Sequence, residues 1–167
     1  MVGDFRDTTR LGTGADEVLG DDGEDLVVGD VLSKTSDAKG GADDTVEGGN
    51  RDDTVIGDSM STHGDARGAG DDTAGGSKDN DTLVGDSSAA GEASGAGGRD
   101  RMQGGRDGDV IWGDHLHGRR DGGQDRLAGG AGRDRLKGGP MNDLCKGGGG
   151  HDTDQSRPNC ERTTSIP

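Results

Sequence analysis

The chain has 167 residues, a formal charge of −15, 37 Gly, one Trp, one Phe and no Tyr, and only 25% of it is hydrophobic. So little apolar material excludes the usual two-layer core, and a net acidic chain without stacking aromatics is excluded as a nucleic-acid binder. Two outcomes remain: a disordered chain, or one ordered by something other than a hydrophobic core.

The acids are 29 Asp against 5 Glu. Asp beside Gly is what tight turns and oxygen-ligand metal sites use, whereas a merely solvating tail would use Glu as freely. Residues 1–98 carry a charge of −16 and residues 99–167 a charge of +1. No apolar run reaches membrane-spanning length, so no transmembrane segment is expected. Met1-Val2-Gly3-Asp4 opens without the hydrophobic segment of a signal peptide, which suits either an export signal already removed or a place within a longer protein.

Residues 1–10 read as a lead-in or cap, and from residue 11 a nine-residue period sets in. Its clearest copy, Gly129-Gly130-Ala131-Gly132-Arg133-Asp134-Arg135-Leu136-Lys137, reads G-G-x-G-x-D-x-U-x, with U a large apolar residue. In this register the sixth position is aspartate in all twelve units: Asp16, Asp25, Asp44, Asp53, Asp72, Asp81, Asp100, Asp109, Asp125, Asp134, Asp143 and Asp152. The eighth position runs Val18, Val27, Val46, Val55, Ala74, Leu83, Met102, Ile111, Leu127, Leu136 and Cys145, and loses its apolar character only at Asp154. The fourth position keeps Gly14, Gly23, Gly70, Gly98, Gly123, Gly132 and Gly150, but holds Ala42, Arg51, Asp79, Asp107 and Met141 elsewhere, where the turns are expected to be strained.

A longer period is superposed on the first. Gly29-Asp30, Gly57-Asp58, Gly85-Asp86 and Gly113-Asp114 recur every 28 residues. Ten-residue insertions near 30–39, 58–67 and 86–95, and a shorter one near 114–120, therefore enter every other unit. If alternate units lie on opposite edges of a flattened coil, the inserted loops all project from one edge. Glycines at positions one, two and four permit the positive φ of a tight turn with inward carbonyls, and the aspartate adds a carboxylate to that ring of oxygens. The x-U-x segment that follows suits a three-residue strand with U pointing inward.

This pattern resembles the repeats-in-toxin (RTX) calcium-binding nonapeptide family over about residues 11–155. The resemblance implies an all-β fold, a parallel β-roll of about twelve calcium-binding nonapeptide turns. Several calcium ions would be bound between coils. Their ligands would be the twelve sixth-position aspartates and backbone carbonyls of turn residues such as Gly12, Gly14, Gly23, Gly70, Gly98, Gly130, Gly132, Gly148 and Gly150. The insertions resemble a looped variant of the family in bacterial extracellular proteins, which implies secretion. With so few inward apolar residues, folding is expected to depend on metal binding.

The remaining signals are weaker. Val28, Ile56, Val84 and Trp112, at position nine, should face outward; cover by Leu32, Met60 and Leu116 of the insertions is expected, with a partner-binding stripe as the alternative. Gly104-Gly105-Arg106-Asp107-Gly108 lacks the G-K-[ST] of a phosphate loop. His115 and His117 read as solvated loop residues rather than a metal pair, His63 and His151 are isolated, and no catalytic set stands out, so the chain is not expected to be an enzyme. Residues 156–167 read as a C-terminal cap or tail. Cys145 and Cys160 are expected to form a disulfide that folds residues 146–159 back over the open end of the roll, with two thiols as the alternative.

The function these features imply is a calcium-dependent extracellular module with a structural or interaction role, whose partner is an extracellular protein, a polysaccharide or a surface. An accessory segment of a larger secreted hydrolase or adhesin is a second reading. Ice or mineral binding is a third, suggested by Thr45, Thr54, Thr73 and Thr82 at position seven and opposed by Arg101, Arg126 and Arg135 in the same array.

Overall fold

A computed structural model of the chain describes residues 14–118, 122–151, 153–154, 160 and 162–164. The lead-in at 1–10 and most of the tail at 156–167 lie outside the described residues.

All the described regular structure is β, and the pairings are parallel. Seven strands form the first sheet: Glu17–Asp22, Thr45–Asn50, Thr73–Ser77, Arg101–Arg106, Arg126–Ala131, Leu144–Gly149 and Arg162–Thr164. Six shorter ones form the second: Leu26–Val28, Thr54–Ile56, Thr82–Val84, Val110–Trp112, Arg135–Lys137 and Thr153–Asp154. The register places Val18 on Val46, Val27 on Val55 and Leu83 on Ile111. The eighth positions from Val18 to Cys145 thus fall on one inward column per sheet. Val46, Val55, Leu83, Met102, Ile111 and Leu136 fill the space between the two sheets. A two-residue alternation puts their neighbours outside.

Two nonapeptides close one coil, one at each edge. Equivalent residues stack at intervals of 28, then 25, then 18 residues. The solenoid therefore has about four wide, insertion-bearing coils and narrower ones beyond Arg126. The nonapeptide units are edge turns, two to a coil as the flattened-coil reading expects, so the count of about twelve is not a count of coils.

The insertions are also more ordered than projecting loops. They build a third parallel sheet from Leu32–Ser33, Met60–Ser61, Ser88–Ser94 and Leu116–Gly118, while Ala66–Arg67 pairs with the far end of Ser88–Ser94 and Ala38–Lys39 pairs with Ala66–Arg67. The wide coils are consequently three-sided. Small residues fill this side arm, with Ala38, Ala66, Ala89 and Ala93 packed together. Val28, Ile56 and Val84 are buried against Leu32, Met60 and Leu116. Cover by the insertions is thus what the fold shows for position nine. The outward stripe is corrected, with Trp112 half-buried and Lys137 Nζ 3.9 Å above its ring.

At the C-terminal end the Cys145–Cys160 disulfide is present, with the two Cα atoms 5.8 Å apart. Cys145 is fully buried in the main core and Cys160 packs against it. Of the segment expected to fold back over the end, residues 152 and 155–159 lie outside the described residues. Arg162–Thr164 adds a further parallel strand, with Arg162 opposite Leu144 and Thr163 opposite Cys145. The period of 18 residues simply continues, and the disulfide ties this last strand to the coil beneath it.

Candidate metal centre

The edge without insertions is built by the turns that run from the first sheet into the second. Position two of these turns has positive φ whether it is Gly49, Gly105, Gly130 and Gly148 or Asp21 and Ser77. Position four does so at Arg51, Asp79 and Asp107 as well as at Gly132 and Gly150. A left-handed conformation at Arg or Ser is unfavourable, so the strain expected at these substituted turns is present. The stacking of equivalent turns holds them in that conformation.

Beyond Asp16 and Asp25, each described sixth-position aspartate then does the same thing. Its Oδ1 accepts a hydrogen bond from the backbone N–H of the equivalent aspartate one coil earlier: Asp25 to Asp53 at 2.7 Å, Asp53 to Asp81 at 2.8 Å, Asp81 to Asp109 at 2.9 Å and Asp109 to Asp134 at 3.0 Å. The opposite edge repeats this ladder from Asp16 through Asp44, Asp72, Asp100 and Asp125 to Asp143. Asp16 and Asp25 are half-buried, and the others named here are buried. Asp152 and Gly12 lie outside the described residues.

The glycines that were read as carbonyl donors stand in columns of their own. A side chain at Gly70, Gly98 or Gly123 would overlap the carbonyl oxygen of Ala42, Gly70 or Gly98, and one at Gly132 or Gly150 that of Asp107 or Gly132. Gly130 and Gly148 face Gly105 and Gly130 in the same way, Gly23 lies beside Asp25, and Gly14 has open space around it. Carbonyls therefore point along the stack from coil to coil, next to the aspartate ladders.

Four aspartates not assigned from the repeat join the insertion-side ladder. Asp30, Asp58 and Asp86 are fully buried and Asp114 nearly so. Asp30 accepts from the Ala42 N–H at 3.1 Å and Asp58 from Gly70 at 3.4 Å; Asp86 accepts from Gly98 at 2.9 Å and Asp114 from Gly123 at 2.7 Å. Asp16, Asp30 and Asp44 each offer an oxygen within 4.8 Å of the others. The 28-residue Gly-Asp recurrence is the sequence signal for these residues, although in the sequence alone it marks no more than the start of each insertion. His115 is likewise buried rather than solvated; its Nδ1 accepts from the Ser87 N–H at 3.2 Å and lies 3.8 Å from Asp86 Oδ2.

These carboxylates fit a hard cation. The second oxygen of Asp44, Asp53, Asp72, Asp81, Asp100, Asp109 and Asp125 is buried with no hydrogen-bond partner. A buried anionic oxygen without a donor is costly, and stacked like charges add to the cost. An ion with six to eight oxygen ligands at flexible geometry would relieve both, which suits Ca²⁺ better than Mg²⁺ or the softer transition metals.

Burial, above all, moves the ionisation of these groups. It raises Asp81 and Asp109 from 3.8 to about 7, Asp72 and Asp125 to about 8 and Asp114 to about 9; neighbouring aspartates also push all five up, while backbone N–H bonds oppose the shift. Unfolded, they titrate near 4. Above that value the metal-free fold holds protons that the unfolded chain has released, so its stability falls as pH rises toward 7–8. Without metal, ordered β structure is expected to increase as pH drops from 7.5 to 4.5. A circular dichroism series in metal-free buffer checks this, and a flat response over that range would contradict it.

A family model described as the RTX calcium-binding nonapeptide repeat (4 copies) matches residues 2–31, 40–59, 68–89, 94–115 and 121–154, well over half of the chain. No curated protein and no solved structure matches it.

Proposed function

The chain belongs to the family of RTX calcium-binding nonapeptide repeats, and from that premise we propose that it is a calcium-folded, non-enzymatic module acting outside the cell in a structural or interaction role. The observation that carries the reading is the pair of aspartate ladders, in which Asp44, Asp53, Asp72, Asp81, Asp100, Asp109 and Asp125 each spend one oxygen on the neighbouring coil and keep the other without a hydrogen bond. In this account the ligands are the sixth-position aspartates with carbonyls of the stacked turns. The ion supplies positive charge between coils, and the chain's residues position it and exclude water from its inner side.

Extracellular calcium is plentiful and cytosolic calcium scarce, so a chain of this kind would be unfolded where it is made and folded where it acts. The family resemblance and the disulfide both support this location. The accessory-segment reading attaches the same module to a larger secreted protein and leaves its chemistry unchanged. Surface binding through threonine rows has less support. Thr45 stacks on Thr73 and Thr54 on Thr82, but Arg101 and Val110 follow and interrupt each row.

Isothermal titration at pH 7.5 tests the proposal. Saturable calcium binding in the range of about 10⁻⁵–10⁻³ M is expected, with magnesium at least about tenfold weaker because it demands octahedral geometry and retains its waters. Equal affinity for the two ions, or no calcium binding, would defeat it.

A further inference from the structure

We propose that Asp30, Asp58, Asp86 and Asp114 convert the insertion-side edge into a second class of calcium site, richer in carboxylate and tighter than the sites of the lean edge. This rests on the calcium-binding reading and adds to it a division of labour between the two edges.

These four residues lie outside the sixth-position frame, at the corner where each coil leaves the second sheet for the third. Each spends one oxygen on a backbone N–H of the turn that follows. The other oxygen, Oδ1 of Asp30 and Asp58 and Oδ2 of Asp86 and Asp114, is buried without a hydrogen-bond partner. In the first coil Asp30 stands beside two ladder aspartates, and Asp16, Asp30 and Asp44 each offer one carboxylate oxygen within 4.8 Å of the others. Ligands on one Ca²⁺, each 2.3–2.6 Å from the ion, lie no more than about 5 Å apart, so the trio can share one ion. The same hydrogen bond recurs at Asp58, Asp86 and Asp114, so each wide coil carries the extra buried carboxyl at this corner, and among the described residues the first coil is where three ligand atoms already lie within 4.8 Å.

The lean edge has nothing to match this. Between one of its turns and the next the buried carboxylates are successive sixth-position aspartates, such as Asp53 and Asp81, and the further aspartates Asp52 and Asp79 are exposed at the turn. Carboxylate count is the main determinant of affinity in all-oxygen calcium sites. The additional buried carboxylate at each insertion-side corner therefore separates the edges, and the insertion side fills first. Past Asp114 the additional carboxylate is lost together with the insertion, and the next coil carries Gly138-Gly139 at the corresponding corner. There Lys137, lying over Trp112, interacts electrostatically with Asp114 and supplies the positive charge at the end of the ladder.

The test is equilibrium dialysis with radioactive calcium on the full chain at pH 7.5, comparing the unaltered protein with the D30N/D58N/D86N/D114N variant. Circular dichroism at saturating calcium confirms folding. The unaltered chain should fill one set of sites near about 10 µM free calcium and a second near about 1 mM, and the variant should lose the first set while keeping the second. Identical isotherms would overturn the proposal. If the fourfold variant does not fold at saturating calcium, D58N alone should weaken part of the tight set by about tenfold, and an unchanged tight set would overturn the proposal. An unaltered chain that binds no calcium at any concentration would defeat the calcium reading itself, and this inference with it.

Discussion

Gly85→Ala is expected to prevent calcium-induced folding of the wide coils, a larger effect than any single ligand loss. Gly85 turns the chain from the second sheet toward the third, with its N–H bonded to the Trp112 carbonyl at 2.9 Å. A methyl group there would overlap both the carbonyl oxygen of Gly113 and Oδ2 of Asp100. Neither can yield: the first belongs to the backbone of the next coil, and the second is the ladder oxygen offered to the ion. Gly57 meets Gly85 and Asp72 in the same way, so the column cannot shift locally to make room. The cost should exceed about 4 kcal/mol, the range reached only when a close-packed backbone is forced apart. Gly149→Ala is the control, since nothing lies within 4 Å of a side chain placed there, and its effect should stay within about 0.5 kcal/mol. Urea midpoints at saturating calcium measure both. Equal midpoints would show that the stack is looser than described.

The second large effect is expected at Asp81, which is 1% exposed and central to the lean edge. Its carboxyl accepts from the Asp53 N–H at 2.8 Å, while its own N–H donates to Asp109 at 2.9 Å. Asp81→Ala strands a buried N–H, costing about 1–3 kcal/mol, and removes a charged oxygen from the gaps on both sides. In a solenoid each coil is stabilised by its two neighbours, so an interior loss is felt twice. The calcium midpoint should rise about tenfold. Asp81→Asn separates the two contributions, because it keeps an oxygen for the Asp53 N–H and loses only the charge, and it should fall between the alanine variant and the unaltered chain. Glu24→Ala, at an exposed turn position, should leave the midpoint in place. If Asp81→Ala behaves like Glu24→Ala, the ladder does not bind the ion.

The nine-residue period carried most of this architecture because it specifies a local shape that repeats. Asp at position six and an apolar residue at position eight were enough to identify both ladders and the column from Val18 to Cys145, and the register then followed from stacking like on like. Coil closure was less legible. A period of nine says how often a turn occurs but not how many turns complete a coil, and that depends on sheets formed between residues 28 apart. The third sheet was hidden for a related reason. Segments such as Ser33-Lys34-Thr35-Ser36 have loop composition, and they become part of a face only because an equivalent short strand of the next coil pairs beside them. Asp30 and its equivalents were visible as a recurrence, yet their burial depends on the path of that third side. At the other end, Asp154 in an apolar slot suggested that the repeat was ending, whereas pairing of Arg162–Thr164 with Leu144–Gly149 carries it one strand further.

The central claim is that calcium and the fold form together. Far-ultraviolet circular dichroism with small-angle X-ray scattering on the full chain at pH 7.5, first in chelator and then through a calcium titration, tests it most directly. The account predicts an expanded, unordered chain in chelator and a cooperative transition to a compact β-rich one as calcium rises to about 1 mM. A chain that is already compact and β-rich in chelator, and unchanged by calcium, would contradict it.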